Sequence, residues 1–579
     1  MSINKIVADG IKNVFDNHRS SIVVGLTGRT GSGCTTAAKI LSTKSFDKLN
    51  LPSLNVPPSN HEDRKNRIIY SWGETHWTAF RYLSVTTLIL TLAINDGLNK
   101  LEALIKSIDE NFDSKGVIDF LKDKENLAGK ARAALDQDIV SDAELIKSTS
   151  FFFERTSKSI LDEFKGFFKL QMHIYTDLLQ RIGNNLRKSG NSYLDETKPE
   201  EIFFIPKIIS KAINIMQAAA RIEEVKNHYI VIDALRHPYE IRFLNRTISN
   251  FFTIAVNTTD EDRVNRLLQQ QYNKDQIRSL DAIEYPDEIS KAKDYSAIVK
   301  QNIQSCLEIS DIYISNTGDK DESVKQMTKQ LLRYVSLMQH PGLITPTPEE
   351  RCMQSAVVAR SNSGCISRQV GAVVTDEHFS IKSIGWNDVP QGQVPCVLRN
   401  VNHAYHGKYD KGSYSKYELG NEKFKEILIK EFSMSEVTQG RNISFCFKSV
   451  YTKTDEKLKG NQVHTRSLHA EENAFLQIAK YGGQAIIGGN LFTTASPCEL
   501  CAKKAFQLGI KNIFYIDPYP GIASEHILSS GQNKPNLKLF EGAVRGAYHK
   551  LYEAIMPYKD ELSFLIRADE SLKFSDNEY

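Results

Sequence analysis

The sequence is read as lacking a hydrophobic run long enough to cross a bilayer. Its most apolar stretch, Leu83 to Ile94, is interrupted by Ser84, Thr86, Thr87 and Thr91. It falls short of the ~20 residues that a spanning helix needs, so a buried helix or strand is expected there and no membrane partner. No apolar segment follows Met1-Ser2-Ile3-Asn4-Lys5, so no signal peptide is expected either. A strong charge of one sign is also missing. Lys and Arg number 73 against 70 for Asp and Glu, a net charge of +3. That is far from the basic excess of a protein that grips long nucleic acid through many phosphates. Eight cysteines in 579 residues are too thinly spread for a disulfide framework. The Cys-x-x-Cys pair among them points instead to a metal or redox site in a reducing compartment, and a cytoplasmic location is expected.

What is present divides into two halves. Ser21 to Leu26 is a β-branched apolar run, followed by Gly28-Arg29-Thr30-Gly31-Ser32-Gly33 and a helical pattern over Thr35 to Leu41. Further buried-strand patterns occur at Tyr229 to Asp233 and Phe252 to Val256, with about 200 mostly helical residues between the first strand and the second. Strands separated by helices predict a parallel α/β sheet. The proline-rich stretch from His340 to Pro348 cannot continue a helix and reads as a linker. Beyond it the pattern predicts a helix over Glu349 to Arg360, paired strands over Val370 to Thr375 and Ser380 to Trp386, and a helix over His469 to Tyr481. A strand follows at Asn490 to Thr494, a helix at Pro497 to Leu508 closed by Gly509, and a strand at Asn512 to Ile516. Pro390 to Arg466 is polar and reads as an insertion with short elements of its own.

The chemistry concentrates in His469-Ala470-Glu471 and Pro497-Cys498-Glu499-Leu500-Cys501, an H-x-E…P-C-x-x-C pattern. Cysteines three apart in the first turn of a helix project from one face, and the positive end of the helix favours their thiolates. Pro497 suits a helix start, where the first amide has no partner. With His469 they make three zinc ligands and leave a fourth position for water, as in catalytic sites. Zinc lowers the pKa of such a water to about 7. Glu471, two residues past the histidine, is placed to move the proton to ring N3 of a cytosine and then to the leaving ammonia. A lone Cys-x-x-Cys is often a structural half-site. Here both halves open helices in the right order, and no fourth ligand is evident close by.

With these residues, Cys352 to Gly392 resembles the opening of the deoxycytidylate deaminases: Met353, Arg360-Ser361-Asn362, Arg368, Val370 to Val374, and Gly385-Trp386-Asn387 with Pro390 and Gly392. The resemblance implies a sugar contact from Asn387, whose other reading is a turn residue, and a cytosine-edge contact from the Ala470 backbone. It implies that Asn473 braces the site. Cys396, His403, His406, Cys446 and His464 lie where some members carry a second, structural zinc. Their spacing is loose, and scattered side chains are the plainer reading.

Gly28, Arg29, Thr30, Gly31, Ser32, Gly33, Cys34 and Thr35 occupy the P-loop frame G-x-x-x-x-G-K-[ST], with Cys34 in the lysine position. Backbone amides there can still cradle phosphate, and Thr35 can still hold Mg²⁺ with a nucleotide. The ammonium that stabilises charge in phosphoryl transfer is gone. Asp233 resembles a Walker-B carboxylate, Arg263 and Arg266 sit where nucleotide kinases carry lid arginines, and Asp311 to Asn316 resembles their late strand. A nucleotide-binding or degenerate domain is therefore expected rather than an active kinase.

A P-loop half before a deoxycytidylate-deaminase half resembles the bacterial anti-phage dCTP deaminases, and Asp517 to Pro520, Ser524 to His526 and Phe540 to Val544 with Tyr548 resemble their ending. The resemblance implies an α/β chain. A P-loop, nucleotide-kinase-like parallel-sheet domain would span 1–339, with a helical insertion at about 60–225. A linker at 340–350 would lead to a cytidine-deaminase-like α/β/α domain over 351–579, with an insertion at about 390–466. It also implies zinc-dependent conversion of free dCTP and dCMP to uracil nucleotides, a homo-oligomer, and restraint by an inhibitory RNA or a nucleotide effector. A housekeeping dCMP deaminase with a regulatory extension, a deaminase of RNA or DNA bases, and a bifunctional kinase–deaminase stay open.

Overall fold

The computed structural model describes residues 3–285, 296–402, 412–432, 439–455, 465–482, 485–517 and 523–568. The chain forms two compact units, Met1–Thr345 together with Gly546–Tyr579, and Pro346–Arg545.

The first unit is built on five parallel strands, β1 (Ser21–Thr27), β2 (Arg81–Ser84), β3 (His228–Asp233), β4 (Phe251–Asn257) and β5 (Ile312–Ser315), in the spatial order β5-β4-β1-β3-β2. Val23 pairs with Ile230 on one side and Phe251 on the other. Every residue of β4 is buried, which is why these strands read as continuous apolar runs: helices cover both faces of a parallel sheet. The stretch from Leu83 to Ile94 is both of the elements expected there. Its first residues belong to β2, which is only four residues long and carries no period of its own. The Ser84 side chain then caps the helix Val85–Asp96 by accepting the Thr87 amide.

One helix departs from the composition argument. Pro199–Ile222 is long and apolar enough to cross a membrane. Ile205, Ile209, Ile213 and Met216 are buried in the core with Leu178, Ile182 and Leu186 of the helix Met172–Ser189, so its apolar face is matched by protein. The domain assignment 351–579 is corrected as well, because the residues after Arg545 belong to the first unit. The Gly342 amide donates to Leu551, Lys550 donates to the Ser249 carbonyl, and the His340 and Glu561 side chains meet at 2.9 Å while both are buried.

The second unit has strands β6 (Gly371–Thr375), β7 (Ile381–Trp386), β8 (Asn490–Ala495), β9 (Asn512–Asp517) and β10 (Asn536–Leu539), ordered β10-β9-β8-β6-β7. β6 pairs antiparallel with β7 and β8, and β8, β9 and β10 run parallel. The helix Pro348–Arg360 starts with a capping box between Thr347 and Glu350, so Pro348 is its first residue rather than linker. The helix Ala470–Tyr481 lies on β7 at Gly385, where an added Cβ would come within 2.3 Å of the Ala470 carbonyl. Only glycine permits that approach. The insertion has its own core of Tyr414, Phe424, Leu428 and Phe445. At its centre the buried Arg399 guanidinium pairs with Glu418 and lies over the Tyr414 and Phe445 rings at 4.7 and 4.5 Å.

Candidate active site

Two helix starts make the candidate metal-binding group. His469 is the residue before the helix Ala470–Tyr481, and Cys498 the residue before Glu499–Gln507, with Cys501 in its first turn. Pro497 therefore precedes the cap rather than occupying the first helical position. β8 ends at Ala495, and the Ser496 amide donates to the Asp517 carbonyl of β9, which ties down the loop carrying Cys498. His469 Nδ1 lies 3.3 Å from Cys498 Sγ and 3.5 Å from Cys501 Sγ. Bonds of about 2.0 Å to nitrogen and 2.3 Å to sulfur in a tetrahedron put ligand atoms about 3.5 Å apart, so the three residues fit a zinc ion. Hydrogen bonds from Cys501 and from His469 lower the Cys498 thiol below its ordinary range, while the Cys501 thiol, which donates one of them, is raised. Among the described residues this is the single His/Cys/Asp/Glu group close enough to bind a metal.

Glu471 sits 4% exposed beside the group, and burial raises its carboxyl above the ordinary range. Thr493 of β8 donates to its Oε1 at 3.4 Å. Glu472 turns the other way and pairs with Lys504. Neighbouring helical residues diverge by about 100°, so one carboxylate enters the site and the other faces the next helix.

Ala470 is fully buried, with its carbonyl over Gly385. Asn473 donates to the Trp386 carbonyl at 2.9 Å, a bracing bond. Both polar groups of the Asn387 side chain are engaged by residues 17 and 19 positions away: Oδ1 accepts the Val370 amide and Nδ2 donates to the Arg368 carbonyl, each at 2.7 Å. The side chain thus braces the segment before β6, and a sugar contact would use the second Nδ2 hydrogen or the second Oδ1 lone pair. Arg368 and Asp517 had no assigned role in the sequence. They form an ion pair, with Asp517 wholly buried at the end of β9. The available signal was a carboxylate closing an otherwise apolar strand. Cys396 and Cys446 are free thiols, while His403, His406 and His464 lie outside the described residues, as do Pro518 to Pro520 and the side chains of Ser524 and Glu525.

In the first unit, Gly33 (φ 112°) leads from the glycine loop into the helix Cys34–Leu41. The Asn316 amide donates to the Ser32 carbonyl there at 2.6 Å, and an added Cβ on Gly33 would collide with it. Cys34 is buried and its thiol is pushed up to about 12, chiefly by burial, so the side chain in the lysine position carries no charge. Arg263 and Arg266 bond the loop's carbonyls, at Thr30 and at Gly31 and Ser32. Asp233 ends β3 with one oxygen accepting the Tyr82 hydroxyl at 2.7 Å.

Residues 346–517 match the cytidine and deoxycytidylate deaminase zinc-binding region. The deoxycytidylate deaminase of Enterobacteria phage T4 is 30% identical over 167 residues, 29% of this chain and 76% of that protein. The corresponding enzyme of phage T2 is 31% identical over 169 residues, 29% of this chain and 78% of its own length. The solved structure of the cyanophage S-TIM5 dCMP deaminase in apo form aligns with 34% of this chain and all of its own, at 21% identity and a TM-score of 0.20. The His469–Cys498–Cys501 group, the buried glutamate beside it and these relatives together place the chain in the cytidine and deoxycytidylate deaminase family.

Proposed function

We propose that the second unit hydrolytically deaminates free deoxycytidine nucleotides, dCMP and dCTP, to the uracil nucleotides. The observation that carries the reading is Glu471, buried beside the His469–Cys498–Cys501 group with its carboxyl raised. Those three residues would hold zinc, which when bound supplies a Lewis acid and lowers the pKa of water. Glu471 takes a proton from the attacking water and passes it to N3 as the C4–O bond forms. It then moves the second proton to the exocyclic nitrogen as the C4–N bond breaks and ammonia leaves. A carboxyl raised by burial suits both steps, because its proton affinity lies nearer to neutrality.

Within that chemistry the reading goes further: dCTP is the physiological substrate, its depletion starves a replicating phage, and the enzyme works as a homo-oligomer. The first unit would bind a nucleotide through Gly28 to Thr35 and Asp233, with Mg²⁺, as a switch rather than a kinase. The neutral Cys34 supports the last point, since it cannot stabilise a transferring phosphoryl group. An inhibitory RNA or nucleotide would hold the enzyme off in healthy cells.

The test compares turnover of dCMP and dCTP by purified protein, and intracellular dCTP in cells making wild-type or Glu471→Ala protein. Falling dCTP with the first alone supports the reading. Turnover of dCMP without dCTP would leave a housekeeping dCMP deaminase.

A further inference from the structure

The loop Gly28–Thr35 already holds an anion, and it comes from the chain itself. One oxygen of Glu284, a residue with no solvent exposure, accepts the Thr30 amide at 2.9 Å, the Thr30 hydroxyl at 2.6 Å and the Arg236 guanidinium at 2.9 Å. Its other oxygen lies 3.5 Å from Arg263. One helical turn earlier on the same helix, Lys274–Glu284, Asp281 pairs with Arg29 at 2.8 Å and Arg263 at 2.6 Å. An amide, a hydroxyl and a guanidinium converging on one oxygen is the donor set a phosphate oxygen takes. A phosphate presents more charge and more acceptor oxygens than a carboxylate.

A second, independent feature adjoins this one. A cavity of about 840 Å³ is lined by Arg29, Thr30, Thr35, Asp233 and Arg236, and by Tyr175, Gln180 and Arg187 from the helix Met172–Ser189. Two of these lining residues are more than nine-tenths buried and keep an atom without a partner: Oδ1 of Asp233 and one terminal nitrogen of Arg187, whose other nitrogens bond Glu240. Buried polar atoms are nearly always satisfied. These two call for a hydroxyl to donate to Asp233 and an acceptor for Arg187. A sugar and a base edge provide both, and the volume lies within the range of small-molecule sites.

We propose that this cavity takes a nucleoside phosphate whose phosphate replaces the Glu284 carboxylate on Thr30 and Arg236, with a sugar hydroxyl on Asp233 and the base edge at Gln180 and Arg187. The inference rests on reading the first unit as nucleotide-binding and adds the exchange. Binding must release the helix Lys274–Glu284, so occupancy becomes a change in backbone structure.

The test uses full-length zinc-loaded protein with two probes, ATP, which carries no cytosine, and inorganic pyrophosphate, which carries no base. Calorimetry measures binding, and amide hydrogen exchange locates it. Both probes are expected to slow exchange at Gly28–Thr35 and to speed it at Lys274–Glu284. Glu284→Gln, which keeps the shape and removes the competing charge, is expected to tighten both probes about tenfold, or 1.4 kcal/mol. Gln180→Met is expected to weaken ATP about tenfold and leave pyrophosphate unchanged. If Glu284→Gln fails to fold, the wild-type exchange pattern decides. Protection of the loop with no change in the helix, or no tightening by Glu284→Gln, overturns the exchange while the nucleotide-binding reading survives. No protection of the loop by either probe overturns that reading and the exchange with it. A Gln180→Met effect equal for both probes, or absent for both, overturns the base placement.

Discussion

The Nδ1 of His469 lies 3.3 Å from the Sγ of Cys498, across 29 positions of sequence. Two helix starts meet there, and the three soft and borderline donors they bring together suit zinc better than any oxygen-preferring cation. Replacing His469, Cys498 or Cys501 by Ala is expected to remove the bound metal and to cut deamination by about 10³-fold or more. Metal analysis of the purified variants checks the first expectation. A stoichiometric zinc content in Cys498→Ala would contradict the assignment. Chelation of the wild type should lower its melting temperature, since an ion bound to the folded state alone stabilises it by mass action.

Glu471 and Glu472 are adjacent but face different partners, Thr493 and Lys504. Glu471→Gln keeps the shape and loses the proton carrier, so kcat should fall by about 10³-fold with zinc retained. Glu472→Gln breaks a part-exposed ion pair and should change stability by about 1 kcal/mol or less, with kcat within a few-fold. Equal losses in the two variants would show that the divergence of their side chains is not functional.

Gly385→Ala tests the seat of the catalytic helix. The new methyl would meet the Ala470 carbonyl at 2.3 Å and the Ala474 amide at 2.5 Å, both backbone atoms that cannot rotate away. Overpacking of this kind costs about 1–3 kcal/mol. A shift of about 1 Å at His469 and Glu471 should also lower kcat by about 10²-fold. Thermal unfolding and kinetics on dCMP measure the two effects separately.

The first unit carries a pH dependence at His237, the buried cap of the helix Pro238–Thr247. Its Nε2 donates to the Ile298 carbonyl at 2.6 Å, and its Nδ1 accepts the Tyr239 amide. Protonation would turn that acceptor into a donor facing another donor. Burial, followed by the Arg187 charge, lowers the imidazole from 6.5 to about 4. Above pH 6.5 both folded and unfolded forms are neutral, and there is no penalty. As pH falls from 6.5 to about 4 the unfolded chain takes up a proton that the folded chain refuses. Stability should therefore drop over that window, by roughly 3 kcal/mol at most. Denaturation series at pH 7 and pH 5 should show a smaller difference for His237→Asn, which can still cap the helix, than for the wild type.

The sequence by itself brought out the His469, Cys498, Cys501 and Glu471 pattern, the strands β1, β3, β4, β6, β7, β8 and β9, and a boundary near Thr345, because these depend on local facts. A ligand spacing follows from one helical turn, and a strand buried on both faces is apolar throughout. Only the tertiary structure decided the rest, and each case involves residues that local pattern does not connect. The short β2 is a strand because β3 pairs with it, and the segment after Arg545 joins the first unit through the partners of Leu551, Lys550 and Glu561. Asn387 is held by the loop around Arg368. The anion on the glycine loop comes from Glu284, 254 positions away from Thr30. A buried carboxylate is stable only where donors converge on it, and that convergence exists only once the sheet and its helices have assembled.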